Sequence, residues 1–246
     1  MIPAVARRIR SSARFGYAAA DTLEAFGARS RLKNAPVDID GAYTAVETFG
    51  YGEVRLAPFQ IREEFTELLR RVQAIRPLRL LEIGTARGGT LFLFARVAAP
   101  GATLVTVDLP HGPFGGGYPL GHVPLLRSFG RDGQKIHLVR ADSHAPATLQ
   151  RVTSLLGGGV DFLFVDGDHT YNGVRLDYEM YAPLVRPGGL IAFHDIVDGP
   201  PEAVGGVPRF WDQLRSGRSH VEEIVADRKQ GGWGIGLIVA HDDPAV

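Results

Sequence analysis

No cysteine occurs in this chain of 246 residues. That excludes disulfides, thiolate nucleophiles and cysteine-held metals, and it is compatible with a reducing compartment. Lysine is scarce, with Lys33, Lys135 and Lys229 the only three, and we read the bias towards arginine as composition rather than function. Neither sign of charge is in excess: 27 basic residues balance 27 acidic ones. A neutral chain gives no global electrostatic case for nucleic acid or an anionic membrane. No apolar run approaches the ~20 residues of a transmembrane helix. Residues 1–15 are basic but are followed by no apolar core, so a signal peptide is not expected and the expected location is cytoplasmic. Internal repeats and low-complexity tracts are also missing.

What is present suits one α/β domain with a short extension, since this length can bury a sizeable core. Residues 1–58 read as an N-terminal helical extension and residues 59–246 as the main domain. Ile2, Val5 and Ile9 share one face of a helix. That helix is expected to pack on its own domain or a second subunit, which makes a homodimer an expectation; a membrane-surface helix is the sharper alternative. Residues 36–58 hold Pro36, Gly41, Gly50, Gly52 and Pro58 and read as an irregular connector. Helical periodicity follows over 59–75. From residue 80 strands and helices alternate: strands at 80–83, 103–107, 136–139, 160–165 and 190–193, with helices at 88–97, 123–129 and 145–156 and one amphipathic stretch before an Arg-Pro-Gly-Gly turn. A short helix at 210–215 and a strand pair at 221–225 and 235–239 close the chain. The expectation is a Rossmann-like seven-stranded sheet, five strands parallel plus a closing antiparallel pair, with helices on both faces. Residues 109–122 form a Gly- and Pro-rich loop longer than a connection needs.

Two strands end in side chains that can bind ligands. Asp166 ends one and His194-Asp195 ends the next, and neighbouring strands lie ~4.8 Å apart. Ligands in open α/β sheets sit at that edge. Earlier, Glu82-Ile83-Gly84-Thr85-Ala86-Arg87-Gly88-Gly89-Thr90 joins a strand to a helix through small residues that let a ligand approach the backbone. By itself the turn is equally a tight strand-to-helix connection. Asp108 ends the next strand, where an acid can take both ribose hydroxyls, and Asp142-Ser143 ends the third, near where an adenine would lie. A nicotinamide dinucleotide prefers Gly-x-Gly-x-x-Gly around its pyrophosphate, whereas Glu82 beside these glycines suits a ligand with a cationic amine. The Tyr-x-x-x-Lys pair of short-chain dehydrogenases and the Gly-Lys-Ser/Thr of a Walker loop are absent.

Together, Glu-x-Gly-x-Ala-x-Gly-Gly, Asp108, Asp142-Ser143, the Arg-Pro-Gly-Gly turn and the terminal strand pair resemble class I S-adenosylmethionine-dependent methyltransferases, over roughly residues 59–239. Val165-Asp166-Gly167-Asp168-His169-Thr170-Tyr171 with Phe193-His194-Asp195 is similar to the branch of macrocin-type sugar O-methyltransferases and cephalosporin-hydroxylase-like proteins.

The resemblance implies S-adenosylmethionine across Glu82, Gly84, Thr85, Ala86, Gly88, Gly89 and Thr90, with Asp108, Asp142, Ser143 and Asp166 completing the donor site. It also implies a divalent metal, usually magnesium, on Asp166 and Asp195. His194 stands where metal-using members often carry a second acid; it would be a third ligand or a hydrogen-bonded strand-end residue. His169 would be the general base, with Asp168 the alternative base or a helix cap. Tyr171 would stack on the ligand or pack the helix start, and His111 and His122 would line a pocket or face solvent. The expected partner is a small hydroxylated acceptor such as a sugar, glycolipid or other secondary metabolite. The neutral charge and the lack of an Asn/Asp-Pro-Pro-Tyr motif count against a nucleic-acid substrate. The competing readings are an accessory protein that binds the cofactor without catalysis and a nicotinamide oxidoreductase.

Overall fold

The computed structural model describes residues 22–112 and 117–240, so the helix expected around Ile2, Val5 and Ile9 lies outside the described residues. Residues 22–32 are helical (α1). The expected connector at 36–58 is instead structured: a helix Ile39–Glu47 (α2) is followed by a hairpin of Gly50–Tyr51 (β1) and Val54–Arg55 (β2). Asp38 starts α2 as its N-cap, its Oδ1 accepting the Gly41 N–H at 2.8 Å. Ala42, Tyr43 and Val46 form the buried stripe of this helix. The helix expected at 59–75 begins later, at Arg62–Ile75 (α3). That leaves residues 56–61 as an irregular connection, with the backbone of Leu56 and Pro58 against Gly89.

The main sheet contains Arg79–Ile83 (β3), Thr103–Asp108 (β4), Lys135–Arg140 (β5), Val160–Val165 (β6), Val185–His194 (β7), Val221–Ile224 (β8) and Ile235–Val239 (β9), in the order β5-β4-β3-β6-β7-β9-β8. The first five are parallel to one another, β9 runs antiparallel to β7, and β8 runs antiparallel to β9. The seven-stranded arrangement read from the alternation is therefore the one found. The Arg-Pro-Gly-Gly turn is a different matter. Val160 pairs with Val185 and Phe162 with Leu190, so two steps along β6 oppose five along β7. The segment bulges out of a longer strand instead of preceding a short one.

Strand alternation divides the core into two layers. Leu80, Leu104, Phe162, Phe164 and Ala192 face α1, α2, α3 and Gly89–Val97 (α4). Phe65, Phe94, Phe162 and Phe164 meet there with ring centroids 5.4–5.8 Å apart. Residues ahead of position 59 thus share a core with those behind it. On the other face Leu81, Ile83, Val105, Leu163, Ile191 and Phe193 pack on Pro146–Leu156 (α6), Tyr171–Tyr181 (α7) and Val207–Arg215 (α9). The short helices Val123–Arg127 (α5) and Pro201–Val204 (α8) sit in the connections. Among the described residues no helix is long and apolar enough to cross a membrane.

Candidate active site

The carboxyl ends of β3, β4, β5, β6 and β7 open into one cavity of about 720 Å³, within the range of small-molecule sites. Gly84, Thr85, Ala86, Gly89 and Thr90 form its floor. The chain there turns tightly: Gly84 has φ +100° and Ala86 φ +44°. Gly84 N–H donates to Val107 O at 2.8 Å, and Asp166 N–H to Ile83 O at 2.8 Å, so the ladder of three strands is stitched up to the cavity edge. There is no room for side chains. A Cβ on Gly84 would collide with the Asp166 carbonyl oxygen, and one on Gly89 with that of Leu56.

Asp108, Asp142 and Ser143 also line the cavity. Asp108 Oδ2 accepts the Ala86 N–H at 2.5 Å, so the acid that would face a ribose also holds the turn. Burial pushes its carboxyl up to about 6, against the backbone N–H groups it accepts from.

Two predicted donor residues lie elsewhere. Gly88 does not line the cavity; its φ of +85° starts α4. Glu82 is wholly buried and off the wall, its oxygens accepting from Thr90 Oγ1 at 2.5 Å and Thr106 Oγ1 at 2.6 Å. Thr106 is in turn 2.5 Å from Thr85 Oγ1. Desolvation pushes the Glu82 carboxyl up to about 8 despite these hydrogen bonds. Glu82 braces the turn from beneath and does not face a ligand amine.

Asp166, His169 and Asp195 come together at the cavity's other end, and among the described residues they are the group able to hold a metal, with one ligand atom from each lying within 4.8 Å of the others. Asp195 adopts φ +62°, the left-handed region that an aspartate enters only at a cost. His169 Nδ1 is 2.5 Å from Ala203 O, to which it donates, and 3.3 Å from Asp195 Oδ2; Nε2 is 3.7 Å from Asp166 Oδ1.

His194 is placed differently from a third ligand. Its Nδ1 lies 3.1 Å from Asp166 Oδ1 and 3.4 Å from Asp195 Oδ1, while Nε2 is buried. It therefore backs the two acids as a hydrogen-bonded strand-end residue. Burial opposes charging of these imidazoles, yet the carboxylates prevail: His194 is pushed up to about 10 and His169 to about 9. Burial alone would raise Asp166, but the two histidines hold it well below the usual carboxylate range.

Asp168 lines the cavity, and its Oδ1 accepts the Thr170 N–H at 2.8 Å; Thr170, not Asp168, caps α7 by accepting from Gly173 N. Tyr171 packs the helix start, its hydroxyl donating to Gln213 Oε1 at 2.5 Å. The long loop contributes Leu109 and Gly112 to the wall, but neither His111 nor His122.

Several lining residues carried no signal in the sequence. Phe59 and Gln60 come from the bend before α3, and Trp233 from the turn between β8 and β9. Trp233 Nε1 donates to Phe59 O at 2.8 Å, Tyr43 hydroxyl to Gln60 O at 3.1 Å, and Gln60 Nε2 to Asp166 Oδ2 at 2.6 Å. Glu64 fixes the same turn, accepting from Ala226 N, Gln230 Nε2 and Gly234 N. Phe59 and Trp233 are exposed at the rim, and the Arg87 guanidinium lies 4.8 Å from the Phe59 ring centre. A contact across 106 residues, as between Gln60 and Asp166, leaves no local pattern to read.

Residues 81–196 match a family model described as a methyltransferase domain. The match spans 116 of the 246 residues. An uncharacterized protein of Sinorhizobium fredii, y4gI, is 29% identical over 146 residues, which is 58% of this chain. The chain spans only 16% of that relative's length. Among solved structures, the chain resembles the O-methyltransferase TomG from Streptomyces achromogenes, in complex with S-adenosylmethionine, with a TM-score of 0.55 and 23% identity over 82% of this chain and 88% of that one. It also resembles the O-methyltransferase from Bacillus cereus, in complex with S-adenosylhomocysteine, with a TM-score of 0.54 and 20% identity over 89% and 90% of the two chains. At such identity the likeness is one of fold, and it agrees with the class I methyltransferase pattern read from the motifs.

Beside the cavity, His144 Nε2 is 3.2 Å from Oδ1 of the wholly buried Asp177 on α7. The hydrogen bond and charge of Asp177 raise His144 from 6.5 to about 9, against desolvation. A folded pKa above the unfolded one stabilises fully below about pH 6.5, and that contribution is lost as pH rises through about 9. Thermal melts should therefore show a fall in Tm across this window that flattens in Asp177→Asn. An equal slope in both proteins would show that the pair does not control it.

Proposed function

We propose that the protein transfers the methyl group of S-adenosylmethionine to a hydroxyl oxygen of a small acceptor, a sugar, glycolipid or other secondary metabolite, with help from a divalent cation. The observation that carries this reading is the union, in one cavity, of the glycine-rich turn and the Asp166, His169, Asp195 cluster. The volume suits a nucleoside-sized donor beside an acceptor. The bare backbone at Gly84 and Ala86 suits close approach by the donor's amino-acid portion, Asp108 its ribose, and Asp142 with Ser143 its base.

The donor set also fits a cation. Asp166 and Asp195 offer the oxygen ligands magnesium favours, close together and partly desolvated. When bound, such an ion supplies Lewis acidity that lowers the pKa of a hydroxyl. The chain's own residues do the rest. Ala203 fixes the His169 ring through Nδ1. A cation on Asp166 and Asp195 would offset the carboxylate charge that holds His169 at about 9, so that Nε2 could take the hydroxyl proton. As the oxygen–carbon bond forms, the carbon–sulfur bond breaks and S-adenosylhomocysteine leaves. His194 keeps both carboxylates oriented. Phe59, Trp233, Leu109 and Gly112 line the cavity and exclude water from the reacting atoms.

Calorimetric titration with S-adenosylhomocysteine, with and without magnesium, tests this directly. Micromolar or tighter binding is expected, and any magnesium effect should vanish in the Asp166→Asn, Asp195→Asn double variant. No binding in either condition would remove the donor reading in favour of a nicotinamide cofactor or another role. Binding without transfer to any hydroxylated acceptor would favour an accessory protein.

A further inference from the structure

Gln60 lines the cavity yet is more than nine-tenths buried, and its Oε1 has no hydrogen-bond partner. The orientation of its amide is not arbitrary. Nε2 lies 2.6 Å from Asp166 Oδ2. An ionised carboxylate can only accept, so the nitrogen must face it and the oxygen must face away. The backbone is held as well, since the Tyr43 hydroxyl donates to Gln60 O and Trp233 to the neighbouring Phe59 O. A fixed, buried acceptor without a donor is costly unless a ligand completes it.

The surroundings select the ligand group. Glu82, the acid nearest the glycine turn in sequence, is closed off by Thr90 and Thr106. Asp166 therefore brings negative charge to this corner, and its carbonyl oxygen lies against Gly84. A cationic N–H donor positioned between the turn and Asp166 would meet an anion on one side and the free amide oxygen on the other. We infer that Gln60 Oε1 accepts a hydrogen bond from the α-ammonium group of the methyl donor's amino-acid portion. The inference rests on the donor reading above and assigns to Gln60 the amine recognition that the motif suggested for Glu82.

The test compares S-adenosylhomocysteine with its desamino analogue, in which hydrogen replaces the α-amino group, on the wild type and on Gln60→Leu. Titrations are run in EDTA, so that any loosening of Asp166 does not enter through a metal. A hydrogen bond to a charged group corresponds to roughly tenfold to a hundredfold in affinity. The wild type is expected to prefer S-adenosylhomocysteine by at least about tenfold. Gln60→Leu should lose most of that preference while binding the desamino analogue as the wild type does. A merely structural role would weaken both ligands alike and leave the preference intact, and that result overturns the inference. So does a wild type that binds both equally. If Gln60→Leu does not fold, as judged by its thermal transition, Gln60→Met is read in the same way. A wild type that binds neither ligand removes the donor reading itself. One that binds with a preference untouched by either substitution removes only the role of Gln60.

Discussion

Replacing His169 with alanine is expected to lower methyl transfer by roughly 10²–10⁴-fold while leaving S-adenosylhomocysteine affinity nearly unchanged. The geometry requires this separation. The His169 ring lies with Asp166 and Asp195 at the end of the cavity away from Asp108 and Ser143, so deleting it touches no group assigned to the ribose or base. Its Nδ1 donates to Ala203 O, so a proton from the acceptor can enter the ring only at Nε2, once a cation on the two acids offsets the charge that raises His169 to about 9. The same atom could instead ligate a cation, and the variant distinguishes the two roles. A base lost alone leaves the magnesium dependence of cofactor binding in place; a ligand lost abolishes it. Full activity in the variant would falsify the assignment of His169 to the chemistry altogether. Rates are read as single turnovers with saturating donor, so that a change in acceptor binding does not pass for a change in the chemical step.

Gly84→Ala is expected to cost about 3–5 kcal/mol, among the largest single-residue effects in a domain whose total stability is typically ~5–15 kcal/mol. Two penalties coincide. Gly84 has φ +100°, outside the regions open to an alanine, and its added Cβ would strike backbone at Asp166, which cannot rotate away. Relief would require β3 and β6 to separate where they support the cluster. Gly157→Ala is the comparison: φ is +62°, nothing lies within 4 Å, and the cost should be only ~1 kcal/mol. Urea denaturation of both variants measures the difference. Equal midpoints would show that the close approach at Gly84 is relaxed at little cost. A Gly84→Ala protein that still folds should bind S-adenosylhomocysteine poorly, since its turn can no longer hold the same path.

The strands were readable because a parallel strand covered on both faces is a continuous apolar run, as Val160–Val165 is, bounded by polar or turn residues. Helix α2 was not, because Pro36 and Gly41 suggest a loop; only the capping geometry at Asp38 restores a helix there. Glu82 shows a subtler failure. A motif places it beside the glycines, but strand alternation places it on the face of Leu80, under α4, where threonines and not ligands await it. The same period puts His194 with Ala192 on the inner face of β7 and leaves the reversed backbone at Asp195 to aim its carboxylate outward. Gln60, Phe59 and Trp233 carried no local signal, since their positions depend on partners 106 to 174 residues away.

That distance has a consequence for how the protein comes into being. A nascent chain that has emerged as far as residue 225 already holds all five parallel strands, but Ala226, Gln230 and Gly234, which together satisfy Glu64, are still unmade. Trp233, which pins Phe59 and so the segment carrying Gln60, is also missing. The wall of the cavity is therefore completed only after all five parallel strands have been made. A truncation before the final hairpin would keep most of the sheet and yet leave a buried acid unpaired and an open trough where the cofactor should sit.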